Sequence, residues 1–142
     1  MTVFLNGVPA SMPTIEVLAQ YAEPVSPDTI AANVFTRFEN EPDTLVIPVV
    51  ENDRPVGLIE RNAFLLKIAG PFGHALYANR AVRQIMDSDP AVVDIHVRID
   101  TFCNALIGSG DGALMRGFIA TRAGRYCGVG TAVCLLKAVN DM

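Results

Sequence analysis

The side chains that most often carry covalent or metal chemistry are few in this chain. Three cysteines (Cys103, Cys127, Cys134) and two histidines (His74, His96) are scattered over 142 residues. No two cysteines form a C-x-x-C pair, so neither a dithiol redox motif nor a zinc knuckle is predicted. All three have apolar neighbours, which is typical of buried free thiols in a reducing compartment. Neither histidine has a suggestive context, so we expect no Cys–His nucleophile and no catalytic residues.

Composition and charge narrow the class of protein. Apolar residues make up 51% of the chain and the mean hydropathy is +0.33, which excludes a disordered protein. The net charge of −4 disfavours a nucleic-acid binder, which needs clustered positive charge. There is no apolar run of the roughly 18–20 residues that would span a membrane, and no basic region precedes residues 3–5 as in a signal peptide. We therefore expect a cytoplasmic protein with at least one buried interface.

Basic residues are concentrated in the second half of the chain. Residues 1–71 hold nine acidic and four basic residues, whereas residues 72–142 hold six acidic and seven basic residues. A small anionic ligand would therefore fit better against the second half. Arg116, Arg122 and Arg125 lie close in sequence there, and they either meet a phosphate or solvate the ends of strands. The glycine-rich loop 108–112 lacks the Gly-Lys-Ser/Thr of a P-loop.

The elements that position these side chains form an internal repeat, with the order strand, helix, strand, strand, helix in each copy. The anchors Val25 and Val93 are 68 positions apart, and Gly57 and Gly128 are 71 apart. Apolar residues at i, i+3, i+4 and i+7 predict the first helix of each copy. The helices are predicted at 29–39, 61–69, 98–107 and 131–139. The strands are predicted from Val25 and at 45–50, 55–59, 91–95, 118–120 and 126–130.

Helix-start signals and chain length predict the domain organisation. Asp28 or Ser26 is predicted to cap the first helix of the repeat, and Thr131 the last. A further helix is expected at 14–22, and residues 1–12 are expected to fray or to lie along a partner. Each copy is too small to bury a core alone, so the two must pack together. This predicts an α/β (α+β) fold of two pseudo-twofold units, 14–70 and 91–142, joined by a linker with a short helix at 71–90.

Three stretches of the sequence carry a resemblance to a known family. They are Ile47-Pro48-Val49-Val50 through Gly57-Leu58-Ile59, then residues 124–131, and the linker at residues 70–80. Together they resemble a tandem cystathionine beta-synthase (CBS) domain pair, or Bateman module, of the stand-alone bacterial type. The linker is similar to that of bacterial CBS pairs, some of which precede cyclic-di-GMP signalling domains. The resemblance implies two β-α-β-β-α units packed sheet to sheet.

The resemblance also implies clefts between the units that often bind AMP, ATP or S-adenosylmethionine. The family's ligand signature, Gly-x-x-Thr/Ser-x-x-Asp, places a hydroxyl and a carboxylate at a helix start, where they grip a ribose. The helix N-terminus itself favours phosphate. This chain has Glu60 and Ala63 at these positions in the first unit, and Thr131 and Cys134 in the second. Loss of the carboxylate costs about 1.5–3 kcal/mol of binding free energy, unless Asn62 substitutes for it in the first unit.

Six candidate ligand-binding residues follow, and several have a structural alternative. The candidates are Thr131, Asp94, Phe118, Cys134, Glu60 and Ser26. Thr131 and Glu60 either contact a ribose or only cap a helix. Asp94 either contacts the ligand or ends a strand in solvent. Phe118 either stacks on a base or fills the core or a cleft.

The resulting hypothesis is a regulatory module without catalytic activity that senses a small nucleotide-like ligand. It would pass the change to a protein partner in signalling, and it needs no metal and no cofactor beyond that ligand. The alternative is a ligand-free dimerisation or scaffold module whose clefts are filled by its own side chains. The resemblance further implies a homodimer formed through the helices of the units. If a nucleotide binds, Thr131 and the basic second half favour the second unit's cleft.

Overall fold

The structure of the chain, a computed structural model, describes residues 13–110 and 112–141. Its helices are α1 (Ala31–Asn40), α2 (Arg61–Ala69), α3 (Gly73–Tyr77), α4 (Ile99–Gly108) and α5 (Ala132–Asn140). Its strands are β1 (Val46–Glu51), β2 (Arg54–Glu60), β3 (Ala91–Asp94), β4 (Phe118–Arg122) and β5 (Arg125–Gly130). Short 3-10 turns lie at Ile15–Val17, Val82–Gln84 and Leu114–Arg116. The predicted helices of the repeat, the linker helix and all but one of the strands are found, with small shifts at their ends. Residues 1–12, for which fraying or a partner was expected, lie outside the described residues.

The strands form two small sheets of unequal size. β1 and β2 pair antiparallel, whereas β3 runs parallel to β4, which pairs antiparallel with β5. The strand predicted at Val25 is wrong, because Val25 makes only an isolated parallel bridge to Val49. Pro24 and Pro27 lie on either side of this bridge and have no N–H to donate, so the ladder does not extend. We call β1, β2, α1, α2 and α3 the first unit, and β3, β4, β5, α4 and α5 the second unit.

The hairpins of the two units turn in the same way and touch each other. Asn52 and Asp53 have φ of 54° and 65°, and Ala123 and Gly124 have φ of 53° and 81°. Two consecutive residues in the left-handed region form the tight turn whose twist suits a two-residue hairpin. The backbone N–H of Tyr126 donates to the carbonyl of Asp53 at 2.7 Å, so the second hairpin is tied to the turn of the first.

The helix predicted at 14–22 is wrong, and only the 3-10 turn at its start is present. The backbone on both sides of that turn pairs with the second unit, since Thr14 bridges Arg98 and Gln20 bridges Val129. These bridges require extended backbone at residues 14 and 20, which interrupts a helix. The segment ahead of the first unit is therefore tied to the second unit by isolated backbone bridges on both sides of the turn.

The predicted cap of α1 is also wrong. Ile30 is the residue that precedes the helix, and it makes no side-chain cap hydrogen bond. Ile30 is held extended instead, because it bridges Ala81 of the linker. The Oγ of Ser26 accepts the backbone N–H of Asp28 at 3.0 Å, in a turn that precedes the helix.

Each unit has its own hydrophobic core, and a smaller cluster joins them. The first core consists of Ala31, Val34, Phe38, Ile47, Val49, Ile59, Phe64, Ile68 and Val82. The second core consists of Ile15, Val93, Ile95, Ile99, Phe102, Cys103, Leu106, Phe118, Ala120 and Leu135. Val46 and Leu58 meet Ile119 and Val129 between the two sheets. Ile15 thus completes the second core from the start of the chain, and Val82 completes the first core from the linker.

Within the described residues, no helix is long and apolar enough to cross a membrane.

Candidate ligand clefts

Two clefts flank the junction of the sheets, each where the last strand of a hairpin leads into a helix. The first cleft, about 250 Å³, is lined by Leu58, Ile59, Glu60, Ala63, Phe64, Lys67, Ile85, Met86, Asp87 and Arg116. The second cleft, about 360 Å³, is lined by Gln20, Tyr21, Ala22, Asp43, Thr44, Leu45, Val46, Val129, Gly130, Thr131, Val133 and Cys134. Leu58, Glu60 and Ala63 of the first cleft correspond to Val129, Thr131 and Cys134 of the second at the repeat distance of 71.

The start of α5 forms the polar end of the second cleft. Thr131 is the N-cap, and its Oγ1 accepts the N–H of Cys134 at a long 3.4 Å. The same Oγ1 lies 3.5 Å from the Cys134 Sγ, within reach of a weak hydrogen bond. The side chain of Thr131 thus accepts from only one of the first N–H groups of α5, which have no partner within the helix. The sequence placed Thr131 and Cys134 at a helix start in a cleft, and the structure has both there.

The start of α2 is closed by a carboxylate. The two oxygens of Glu60 accept the N–H of Asn62 at 2.7 Å and that of Ala63 at 3.1 Å. The negative charge lies at the positive end of the helix dipole, where it is stabilised. Glu60 therefore acts as the N-cap that was the structural alternative for this residue, while its side chain also lines the first cleft.

Charged residues reach each cleft from the opposite half of the chain. Arg116, which precedes β4 in the second unit, lines the first cleft together with Lys67. Asp43, from the loop before β1, lines the second cleft. Arg122 instead pairs with Glu16 at 3.0 Å. Arg116 also lines a smaller pocket of about 190 Å³ together with Glu60 and Thr131, so it lies near both helix starts.

The third arginine of the group also points away from the clefts. Arg125 lies 3.5 Å from the carboxylate of Asp53, in the contact between the two hairpin turns. Arg54 of the first unit donates to the carbonyl of Gly124 in the same contact, at 3.4 Å. Arg122 and Arg125 thus join parts of the protein surface, and only Arg116 of the three lies at a cleft.

Asp94 and Ser26 occupy equivalent turns, outside the lining of either cleft. The Asp94 carboxylate accepts the backbone N–H of His96 at 2.8 Å and contacts its Nδ1 at 2.9 Å. These hydrogen bonds, chiefly the one from the backbone, hold the pKa of Asp94 below its ordinary value. Ser26 makes the corresponding bond to the N–H of Asp28. Both residues are turn acceptors at the point where the chain leaves the sheet.

Phe118 is fully buried in the second core, with its ring against Phe102 at a centroid distance of 5.0 Å. It also fills the space beside Gly130, where a Cβ would clash with the ring. The stacking of Phe118 on a ligand base is therefore wrong for this structure, and its alternative as a core residue is the one observed.

The cysteines are free thiols. Cys103 is buried, while Cys127 and Cys134 are half-buried. Burial raises the pKa of the Cys103 and Cys127 thiols, which keeps both protonated near neutral pH. No group of histidine, cysteine and acidic residues suited to hold a metal ion is found in the part of the chain that the structure describes.

Several cleft residues had no signal in the sequence. Gln20, Asp43 and Thr44 belong to the second cleft, and Asp87 to the first. They come from loops far along the chain from the helix start that they face, so no local spacing pattern marks them.

Solved structures with the same fold are numerous. CBSX2 in complex with AMP matches with a TM-score of 0.70 at 17% identity, over 91% of this chain and 97% of the other. CBSX2 from Arabidopsis thaliana matches with a TM-score of 0.70 at 16% identity, over 92% and 96%. A CBS domain-containing protein of unknown function from Bacillus anthracis matches with a TM-score of 0.70 at 18% identity, over 90% and 93%.

No protein-family model matches the sequence, and no curated protein matches it either. The structural likeness covers nine-tenths of the chain or more in these comparisons, and it includes both units and the linker. The resemblance carried by the hairpins and the linker is therefore confirmed at the level of the fold. This chain has the fold of a tandem CBS-domain pair.

Proposed function

We propose that this protein is a regulatory module that binds a small nucleotide-like ligand in its second cleft and passes the change to a protein partner. The observation that carries the proposal is the open start of α5. Thr131 caps a single N–H there, and Thr131, Val133 and Cys134 of this helix start line a cleft of about 360 Å³. A helix start of this kind suits a ribose hydroxyl and a phosphate. The AMP complex of CBSX2, which has the same fold, supports an adenosine nucleotide as the ligand class.

The first cleft is the weaker candidate because of Glu60. Its carboxylate already accepts two of the free N–H groups of α2, and it repels a phosphate at the same place. Lys67 and Arg116 line the same cleft and oppose that repulsion, whereas Asp87, also in the lining, adds to it. We infer that the second cleft binds more tightly, although the first has the basic residues.

Calorimetric titration with AMP, ATP, S-adenosylmethionine and GMP tests the proposal. Thr131→Val keeps the size of the side chain and removes the hydroxyl, so it should weaken binding by about 0.5–1.5 kcal/mol, the value of a neutral hydrogen bond. Glu60→Gln should change the affinity little or increase it. Thr36→Val, on the exposed side of α1, is the matched control and should bind like the parent.

Two results would contradict this assignment. If Thr131→Val binds like the parent and Glu60→Gln abolishes binding, the ligand lies in the first cleft. If none of the four ligands binds or raises the melting temperature, the module is not an adenosine-nucleotide sensor. A ligand selective for the folded state at 100 times its Kd should add about 2.7 kcal/mol of stability, so a thermal-shift assay is sensitive enough to decide.

A ligand-free dimerisation or scaffold module is the second candidate, and the outer surfaces of the helices favour it. Leu66 of α2, Ile107 of α4 and Leu136 of α5 are 77%, 67% and 53% exposed. A homodimer with a twofold interface through such helices would bury them. Light scattering at micromolar concentration should then give twice the chain mass of 15.2 kDa, with or without a nucleotide. A mass of one chain would exclude the dimer.

A further inference from the structure

An exposed aromatic side chain lies in the second cleft. Tyr21 lines this cleft together with Thr131 of the α5 start. Tyr21 is 67% exposed, whereas the other two tyrosines of the chain, Tyr77 and Tyr126, are half-buried. An aromatic ring contributes most when another group covers its surface, and most of the surface of this ring is left for a ligand.

The backbone on both sides of Tyr21 is fixed to strand β5. Gln20 exchanges two hydrogen bonds with Val129, each of 2.9 Å. Ala22 makes two more with the Tyr126 hydroxyl, which donates to its carbonyl at 2.6 Å and accepts its N–H at 3.1 Å. These four bonds hold the Tyr21 backbone in place without using its side chain. A ring that is presented in this way loses little freedom when a ligand binds to it, which favours affinity.

The ring of Tyr21 is partly supported by its neighbour. Its centroid lies 5.9 Å from that of the Tyr126 ring, at a tilt of 47°, which is a favourable arrangement for an aromatic pair. The cleft measures about 360 Å³, within the range of about 300–1,000 Å³ that is usual for small-ligand sites. A ligand whose polar end reaches Thr131 therefore has a supported aromatic ring in the same cavity.

The first unit has no aromatic residue at the equivalent position. Asp87 exchanges the same pair of backbone hydrogen bonds with Leu58, at 2.9 and 3.0 Å, so Asp87 corresponds to Gln20. The next residue, Ser88, is therefore the counterpart of Tyr21. Ser88 lies outside the lining of the first cleft, and the exposed ring is particular to the second cleft.

We propose that Tyr21 is the residue on which the base of the ligand stacks, so that the second cleft selects ligands with a flat aromatic base. This inference rests on the proposed function, and it gives Tyr21 the role that the sequence offered to Phe118, which is buried in the core. Stacking on an aromatic side chain tolerates every base, because each base has a π-face. Tyr21 thus sets the requirement for a base, and the wider face of a purine gives it a larger contact than a pyrimidine does.

Calorimetric titration with AMP and with ribose 5-phosphate, which has no base, tests this role. Tyr21→Ala should weaken the binding of AMP about tenfold, equivalent to about 1.4 kcal/mol. Tyr21→Phe keeps the ring and should bind AMP like the parent. Ribose 5-phosphate should not distinguish Tyr21→Ala from the parent. Phe72→Ala, at a 74% exposed aromatic residue outside the lining of both clefts, is the matched control and should bind AMP like the parent.

Tyrosine fluorescence reports the stacking itself, since the chain has three tyrosines and no tryptophan. AMP should quench the emission of the parent, and Tyr21→Phe should lose this quenching while it keeps its affinity for AMP. A residue that only shapes the cleft would not separate the two measurements in this way.

Four results would overturn the role of Tyr21 and leave the proposed function standing. They are equal AMP affinity of Tyr21→Ala and the parent, weaker binding of ribose 5-phosphate by Tyr21→Ala, a loss of AMP affinity in Tyr21→Phe as large as in Tyr21→Ala, and unchanged quenching in Tyr21→Phe. If AMP does not bind the parent, the inference is overturned together with the adenosine-nucleotide assignment.

Discussion

The starts of α2 and α5 are equivalent by the repeat, yet they present opposite chemistry to their clefts. Glu60 closes the first helix start with a carboxylate that accepts two N–H groups, whereas Thr131 takes one N–H through a neutral oxygen. The surrounding charges differ as well, since Lys67, Arg116 and Asp87 line the first cleft, whereas Asp43 lines the second. One backbone arrangement thus supports two electrostatic environments, because a cleft takes its charges from both units.

The hairpins show the same principle in their packing. Ile47 lies opposite Ile59 in the first hairpin, and at the equivalent pair in the second hairpin Phe118 lies opposite Gly130. Two medium side chains in one unit are replaced by a large ring and a glycine in the other. The Phe118 ring occupies the space that a side chain at Gly130 would take, which preserves the dense packing that a core needs.

Disrupting the packing of Phe118 beside Gly130 should have the largest effect on stability. Phe118→Ala removes a fully buried ring and should lower the free energy of unfolding by about 3–5 kcal/mol, as measured by urea denaturation. Phe118→Ile should also destabilise the protein, because it leaves the space beside Gly130 empty. Adding Gly130→Ile to Phe118→Ile copies the first hairpin and should recover part of the loss. If the double variant is less stable than the sum of the single variants predicts, the two hairpins do not pack equivalently.

The side chain of Tyr126 in the second unit holds the segment that precedes the first unit, and it has no counterpart in the first unit. Its hydroxyl donates to the carbonyl of Ala22 at 2.6 Å and accepts the N–H of the same residue at 3.1 Å. The first unit has Pro55 at the equivalent position and no such side chain. Tyr126→Phe should lower the free energy of unfolding by about 1–2 kcal/mol, since it leaves two backbone groups without this partner. Tyr21→Phe, at a residue that is 67% exposed, should change stability little in the same denaturation experiment.

Removing either helix cap should lower the stability by a smaller amount, and the loss should differ between Glu60 and Thr131. Both Glu60→Ala and Thr131→Ala should destabilise the protein by about 0.5–2 kcal/mol, the usual range for an N-cap. Glu60→Ala should cost more, because it removes two shorter hydrogen bonds and a charge that favours the helix dipole. Thermal unfolding of the two variants measures the difference, and an equal or larger loss for Thr131→Ala would show that the hydroxyl has a stronger structural role than its 3.4 Å bond indicates.

The smallest expected effect concerns pH and compares Asp94 with Ser26. The pKa of Asp94 lies below its ordinary value in the folded protein, mainly because its carboxylate accepts the backbone N–H of His96. Its contribution to stability is therefore present above the unfolded pKa of about 3.9 and is lost as the pH falls through the folded pKa. Asp94→Ser, which copies Ser26, should reduce the loss of stability in that acidic window. The reciprocal Ser26→Asp should increase it, and an unchanged pH profile for both variants would contradict this assignment.

Much of the architecture was predictable from local sequence patterns. Helical spacing of apolar residues, continuous apolar runs and polar two-residue turns fix elements over short distances, and the repeat at 68 and 71 positions predicted that two such units pack together. Thr131 and Glu60 were identifiable as helix-start residues for the same reason. Two local patterns failed. Pairing with distant backbone overrode the helix pattern at 14–22, and neighbouring prolines limited the strand pattern at Val25 to an isolated bridge.

The sequence by itself determined which elements form and which residue types stand at each helix start, because propensity, capping and turn geometry depend on a few neighbouring residues. Only the tertiary structure decided which charges face which cleft, since Arg116 and Asp43 cross to the other unit when the sheets pack. It also decided that Phe118 fills the core, because the missing side chain of Gly130 provides that space. These outcomes depend on contacts between residues far apart in the chain, and no spacing within one element encodes them.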